Sequence, residues 1–205
     1  MAYTKRQITT AVSIIYLIVL TALAGFATHQ VREFSLPIPS LLSILTVFLP
    51  AISGLTLETT FTRTPSKLLK PKKKSTVPRF SRAFLISVFI LTVYETAVAA
   101  LLGEHIGPTG GLRCGLDETW RRLYSKKDSD AIRRIQDAGD CCGLHSGLDM
   151  AWPFPAKGVR PDRCLERFER TASCFEGWRA REQSVAGLML AVVIGVFLWE
   201  CSLRS

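Results

Sequence analysis

Apolar residues along the chain are gathered into four long blocks and do not recur at the spacing of an amphipathic surface helix. The blocks cover residues 8–27, 38–57, 83–103 and 184–201. Each comes close to the roughly 20 helical residues that cross the hydrocarbon of a bilayer. The pattern therefore predicts four transmembrane helices joined by three loops.

The first block also shares features with a cleaved secretory signal, because Lys5 and Arg6 precede it and small residues lie at 24–27. Its apolar core is longer than the roughly 7 to 15 residues usual in a signal sequence. We expect an uncleaved anchor, and cleavage would leave the sidedness of the later helices unchanged.

Basic residues are concentrated in the segment 58–82, which carries eight Lys and Arg against one acidic residue. Loops rich in Lys and Arg stay on the cytosolic side of a membrane. We therefore place this loop and both termini, 1–7 and 202–205, in the cytosol. The loops 28–37 and 104–183 then lie outside, and the longer one is nearly neutral, with 14 basic and 13 acidic residues. The net charge of +9 is thus mostly a topogenic signal, and it does not favour nucleic-acid binding.

Four lysines of the cytosolic loop are candidates for contact with anionic lipid headgroups of the inner leaflet. They are Lys70, Lys72, Lys73 and Lys74. Each basic residue near such a surface contributes about 1 kcal/mol. The alternative is a solvated loop whose charges only set the topology.

Five of the six cysteines lie in the long outside loop, where an oxidising environment favours disulfides. The neighbours Cys141 and Cys142 have α-carbons only about 3.8 Å apart, closer than the usual lower limit of about 4.4 Å for a bonded pair. They should therefore bond to Cys164 and Cys174, in either of two connectivities. A four-thiolate zinc site is the competing use, but Cys-x-x-Cys spacing is missing.

Helical periodicity flanks the cysteine pair. Apolar residues between Trp120 and Ile135 recur at three- and four-residue steps, and the residues Asp128 to Asp130 are placed to cap a second helix that ends near Gly139. The segment 164–181 is also predicted to be helical and to lead into the last span. Prolines make the intervening head, residues 147–163, irregular.

The long loop carries an ordered set of residues: Cys141-Cys142-Gly143, Asp149, Trp152, Pro161, Cys164 and Cys174. This order, between a third and a fourth span, resembles the tetraspanin family, and the resemblance covers the whole chain. The Trp-Pro-Phe-Pro stretch and the small size are most similar to fungal members. The resemblance implies an all-α membrane protein of four transmembrane helices with a disulfide-stapled helical large extracellular loop. It also implies the pairs Cys141 with Cys174 and Cys142 with Cys164.

The chain departs from the family pattern at several positions. Arg163 replaces the serine before Cys164, and Ser173 replaces the glycine before Cys174. The chain contains no Asn, so it lacks both the polar Asn often found in the family's first span and any N-glycosylation acceptor.

The resemblance implies a non-enzymatic organiser that gathers other integral membrane proteins laterally, in the plasma membrane or an endomembrane. We expect partner choice to reside in the head, at Gly147, Leu148, Met150, Trp152, Phe154 and Val159. One alternative is a four-helix membrane thiol oxidoreductase, which would normally use a Cys-x-x-Cys pair. Another is a lipid-binding membrane protein. No residue pattern predicts a cofactor or a metal site.

Three further residues carry separate hypotheses. A charged Glu95 inside the third span would cost about 2.5 to 3.5 kcal/mol, so it should face other helices in a polar contact, or else serve a ligand or a proton. Cys201, beside the membrane, is a candidate for S-palmitoylation or a buried thiol. Cys114 leaves an odd cysteine outside, either free or linking two protomers in self-association.

Overall fold

The computed structural model describes residues 5–63, 82–107, 111–155 and 162–204, and within them α-helix is the only regular secondary structure, without strands. Seven helices follow one another: α1 Lys5–Glu33, α2 Ser40–Arg63, α3 Arg82–Glu104, α4 Gly111–Ser125, α5 Ser129–Gly139, α6 Arg163–Phe168 and α7 Cys174–Arg204.

Three helical segments are long and apolar enough to cross a membrane: Gln7–Glu33, Leu85–Glu104 and Cys174–Ser202. The described apolar stretch of α2, Ser40–Thr56, is shorter than these three. The structure therefore shows an all-helical protein with three helices that meet the requirement for spanning a membrane.

The four long helices pack side by side as a bundle, which consists of α1, α2, α3 and α7 beyond its first turns. The Tyr16 hydroxyl on α1 donates a hydrogen bond to the Gly195 carbonyl on α7 over 3.1 Å. The Tyr94 hydroxyl on α3 likewise donates to the Leu45 carbonyl on α2 over 2.7 Å. The interior is mostly apolar, although Ser43, Thr46, Ser53, Glu95 and Glu200 are also buried. Its buried apolar residues include Leu20, Ala24, Leu49, Val98, Leu102, Met189, Val192 and Val196.

The outer surface of the bundle is also apolar. Ile15 on α1 is 62% exposed, and Phe89 on α3 is 69% exposed. Soluble proteins rarely leave large contiguous apolar faces in water. The exposed faces are consistent with helices that lie in a bilayer.

A smaller lobe, made of α4, α5, α6, their connections and the first two turns of α7, packs at one end of the bundle. Trp120 of α4 and Trp178 of α7 meet edge to face, with ring centroids 5.6 Å apart. Ile132 and Ile135 of α5 are buried in the same core. The Asp128 side chain accepts a hydrogen bond from the Ala131 amide over 3.0 Å, so the expected cap starts α5.

The predicted continuous helix over 164–181 is wrong. α6 ends at Phe168, Glu169 is left-handed with φ of 54°, and α7 begins only at Cys174. A continuous helix would separate Cys164 from Cys174 by about 15 Å along its axis. The two disulfides span 5.1 and 6.0 Å between α-carbons, so with an unbroken helix both bonds and the step from Cys141 to Cys142 would have to lie almost in one straight line. The break removes that requirement.

Candidate functional site

Two disulfides within the lobe connect the cysteine pair after α5 to α6 and to the start of α7. Cys141 bonds to Cys174 with α-carbons 5.1 Å apart, and Cys142 bonds to Cys164 with α-carbons 6.0 Å apart. This is the pairing that the resemblance implies. All four residues are at most 3% exposed, so the sulfur atoms belong to the interior of the lobe.

Backbone hydrogen bonds reinforce the junction between α5 and α7. The Cys174 amide donates to the Gly143 carbonyl over 3.0 Å, and the Phe175 amide donates to the Leu144 carbonyl over 3.0 Å. The Cys142 amide donates to the Ala172 carbonyl over 2.9 Å. The start of α7 is therefore held to the chain after α5 by both covalent and polar contacts.

Gly143 occupies a position that only glycine fits. Its φ is +65°, and an added Cβ would overlap the carbonyl oxygens of Ser146 and Asp149. The Asp149 carbonyl already accepts from the Leu144 amide over 3.0 Å, and the Asp149 amide donates to the Ser146 carbonyl. The predicted motif residues Gly143 and Asp149 thus act through their backbones, in one tight turn after the cysteine pair.

Gln136 is a structural residue that the sequence reasoning missed. It is 1% exposed on α5, one turn from Ile132. With its amide oriented to satisfy both neighbours, it accepts from the Gly143 amide over 3.1 Å and donates to the Trp152 carbonyl over 3.3 Å. The available signal was a Gln on the apolar face of α5, where an amide is retained only if it finds partners.

Trp152 of the head packs in a series of alternating aromatic rings and guanidinium groups, whose other members lie on α5, on α6 and just after α6. Trp152 stacks on Phe168 with centroids 5.9 Å apart, and the Arg133 guanidinium lies 5.2 Å from the Trp152 ring centre. Arg170 lies 4.9 Å from the Phe168 ring centre and pairs with Asp137 over 2.9 Å. These contacts give the irregular segment a defined surface despite its lack of helix.

The residues predicted to bind partners differ in accessibility. Leu148 is 56% exposed, whereas Met150, Trp152 and Phe154 are partly buried against the lobe core. Phe154 packs edge to face on Tyr124, with centroids 5.4 Å apart. Gly147 lies against the Leu165 side chain. Val159 and Pro161 lie outside the described residues.

The lobe is also fastened to residues 34–39, the connection between α1 and α2. The Trp178 indole N–H donates to the Phe34 carbonyl over 3.0 Å, and the Arg181 guanidinium lies 3.9 Å from the Phe34 ring centre. Arg134 of α5 donates to the Glu33 carbonyl over 3.3 Å. Two helices of the lobe, α5 and α7, thus contact the end of α1 and the connection that follows it.

The two ends of the lobe are pinned together beside the bundle. His105, just after α3, lies 2.8 Å from the Glu182 carboxylate of α7, and Glu182 is fully buried. The side-chain amide of Gln183 donates a hydrogen bond to the Ile106 carbonyl over 3.1 Å. These contacts close the base of the lobe where its chain enters and leaves.

The remaining predicted residues do not gather into one site. Glu95 is buried inside the bundle, 3% exposed, while the unbonded Cys114 and Cys201 are exposed on α4 and near the end of α7. The four lysines Lys70, Lys72, Lys73 and Lys74 lie outside the described residues. Within the described part of the chain, no group of three His, Cys, Asp or Glu side chains is placed to hold a metal ion.

Comparison with protein-family models, curated proteins and solved structures finds no match to this chain.

Proposed function

We propose that the protein is a tetraspanin-type membrane organiser, with four spans, cytosolic termini and an outside lobe that gathers other integral membrane proteins laterally. In this arrangement α2 provides the fourth span, and the head of the lobe determines which partner is bound. The basic cytosolic loop adds contacts with anionic lipids of the inner leaflet.

The observation that carries the proposal is the continuity of α7. This helix runs for 31 residues from Cys174, inside the stapled lobe, to Arg204 beyond the apolar stretch. The lobe therefore sits on a membrane-length helix without a flexible linker. A rigidly mounted lobe close to the bilayer is suited to partners in the same membrane, because it cannot extend far from the surface.

Open positions on the bundle supply a second kind of contact. An added Cβ at Gly25 on α1 or Gly187 on α7 would meet no other atom within 4 Å. Small residues on the outside of membrane helices let another helix approach closely. These positions favour lateral packing against helices of a partner.

The placement of the cysteines supports a structural role over thiol oxidoreductase chemistry. Such enzymes need an accessible, reactive thiol with a resolving partner. The four bonded cysteines are buried, and the two free ones lie on α4 and near the far end of α7.

Crosslinking in native membranes, followed by purification in mild detergent, tests the proposal. We expect other integral membrane proteins to be recovered with the chain. The variant Leu148→Arg should lower that recovery at least about fivefold, because a central interface residue contributes more than about 1 kcal/mol.

Ala138→Arg is the matched control, since it adds the same charge at an exposed position of α5, outside the residues of the head. It should leave recovery unchanged. If the wild-type chain is crosslinked to no other protein, the organiser proposal is wrong.

A further inference from the structure

A cleft of about 440 Å³ separates the connection between α1 and α2 from helix α4. Residues 36–40 form one wall, and Gly115, Glu118, Thr119 and Arg122 form the other. The walls come together at Gly115, where an added Cβ would lie 3.7 Å from the Pro37 Cβ. Two prolines in the connection stiffen its wall, because each fixes its own φ.

The α4 wall presents one negative and one positive side chain. Glu118 and Arg122 are four residues apart and therefore lie on the same helix face. Both are exposed, and among the described residues neither takes part in an ion pair. Opposite charges at this spacing, left unpaired on the rim of a cleft, are complementary to a ligand that itself carries both signs.

The other wall ends at the top of an apolar helix surface. Ser40 begins α2, and directly below it Leu41, Ile44 and Phe48 are 66%, 42% and 57% exposed. These four residues lie within about 100° of one another around the helix axis, at 3.6 residues per turn. The cleft thus lies where the charged side chains of α4 meet an apolar face of α2 that is suited to acyl chains.

We propose that this cleft binds the headgroup of a zwitterionic phospholipid of the outer leaflet. Arg122 binds the phosphate, Glu118 binds the ammonium group, and the acyl chains lie along Leu41, Ile44 and Phe48. An arginine guanidinium matches the geometry of phosphate oxygens. Glu118 disfavours a headgroup that carries only negative charge. The inference rests on the bilayer placement of α2 in the proposed function.

A lipid in this position has a structural consequence. It contacts α2, the connection and α4 together, and so adds a further attachment of the lobe beside those of Trp178, Arg181 and Arg134. The lobe orientation then depends on the lipids of the surrounding leaflet.

Native mass spectrometry of the full chain, purified in mild detergent with added lipid, tests the assignment. The probes are a phosphatidylcholine, a phosphatidylglycerol and a diacylglycerol with identical chains. Wild type should retain phosphatidylcholine best. Arg122→Gln should weaken its binding by up to about fivefold, the range of one exposed ion pair. Glu118→Gln should abolish the preference for phosphatidylcholine over phosphatidylglycerol.

Arg121→Gln is the matched control, because Arg121 is exposed on the same helix but does not line the cleft. The assignment is wrong if Arg122→Gln behaves like this control, or if the three lipids are retained equally. It is also wrong if soluble glycerophosphocholine competes as well as the lipid, because the acyl face would then contribute nothing.

Labelling of Ile52→Cys, at an exposed position of α2 and in a Cys114→Ser, Cys201→Ser background, separates this inference from the proposed function. If a membrane-impermeant maleimide labels this cysteine in opened vesicles, α2 does not lie in the bilayer and both fail. If the cysteine stays unlabelled but the chain shows no headgroup preference, the cleft assignment alone is contradicted.

Discussion

At the scale of single residues, the fold of the lobe depends on buried polar groups that each have one hydrogen-bond partner. Gln136 spans from α5 to Gly143 and Trp152, and replacing its amide would leave a buried donor and a buried acceptor without partners. Each stranded group costs about 1 to 3 kcal/mol. The conformation of the turn after the cysteine pair is therefore stabilised by hydrogen bonds to Gln136 as well as by the two disulfides.

Gly143→Ala should destabilise the lobe. The left-handed backbone alone costs a non-glycine residue about 1 to 3 kcal/mol, and the overlap with the Ser146 and Asp149 carbonyls adds to that. Thermal unfolding of the purified protein, followed by tryptophan fluorescence, should show a clear fall in the transition temperature.

Gly177→Ala is the matched control for this substitution. Gly177 lies within α7 with no atom near an added Cβ, so alanine there should be neutral or stabilising by about 0.5 to 1 kcal/mol. Equal transition temperatures for the two variants would contradict the role assigned to Gly143.

At the scale of elements, local signals in the sequence predict some helices well and miss one boundary. The Asp128 cap and the apolar steps up to Ile135 are local, and α5 follows them closely. The break between α6 and α7 lies between two cysteines whose disulfide partners are 22 and 33 residues away, so these bonds are non-local. Periodicity within 164–181 could not reveal that constraint.

Trp178→Phe tests the fastening of the lobe to the connection between α1 and α2. The variant keeps an aromatic ring but loses the N–H bond to the Phe34 carbonyl, worth about 1 kcal/mol. We expect faster hydrogen exchange in residues 34–39, measured by mass spectrometry of the protein in detergent.

Trp199→Phe is the control on the same helix, because the Trp199 indole N–H has no hydrogen-bond partner among the described residues. It should leave exchange in residues 34–39 unchanged. Unaltered exchange in Trp178→Phe would show that this bond does not hold the lobe.

At the scale of the whole molecule, the block pattern of apolar residues predicts membrane-length helices, and three helices of the structure meet that length and composition. The attachment of the lobe could not be predicted, because Trp178 and Phe34 are 144 residues apart and no local pattern relates them. The sequence also could not predict which side chains of the head are exposed. Met150, Trp152 and Phe154 share one irregular segment with Leu148, yet they pack inward while Leu148 points out.

The four-span arrangement with an outside lobe is the central claim, and thiol labelling in sealed right-side-out membrane vesicles tests it most directly. The free, exposed Cys114 reports on the lobe. Cys114 is read in a Cys201→Ser background, and Lys70→Cys, made with both Cys114→Ser and Cys201→Ser, reports on the loop between α2 and α3. A membrane-impermeant maleimide should label Cys114 at once and the cysteine at position 70 only after the vesicles are opened. Labelling of position 70 in closed vesicles, or protection of Cys114 there, would contradict the account.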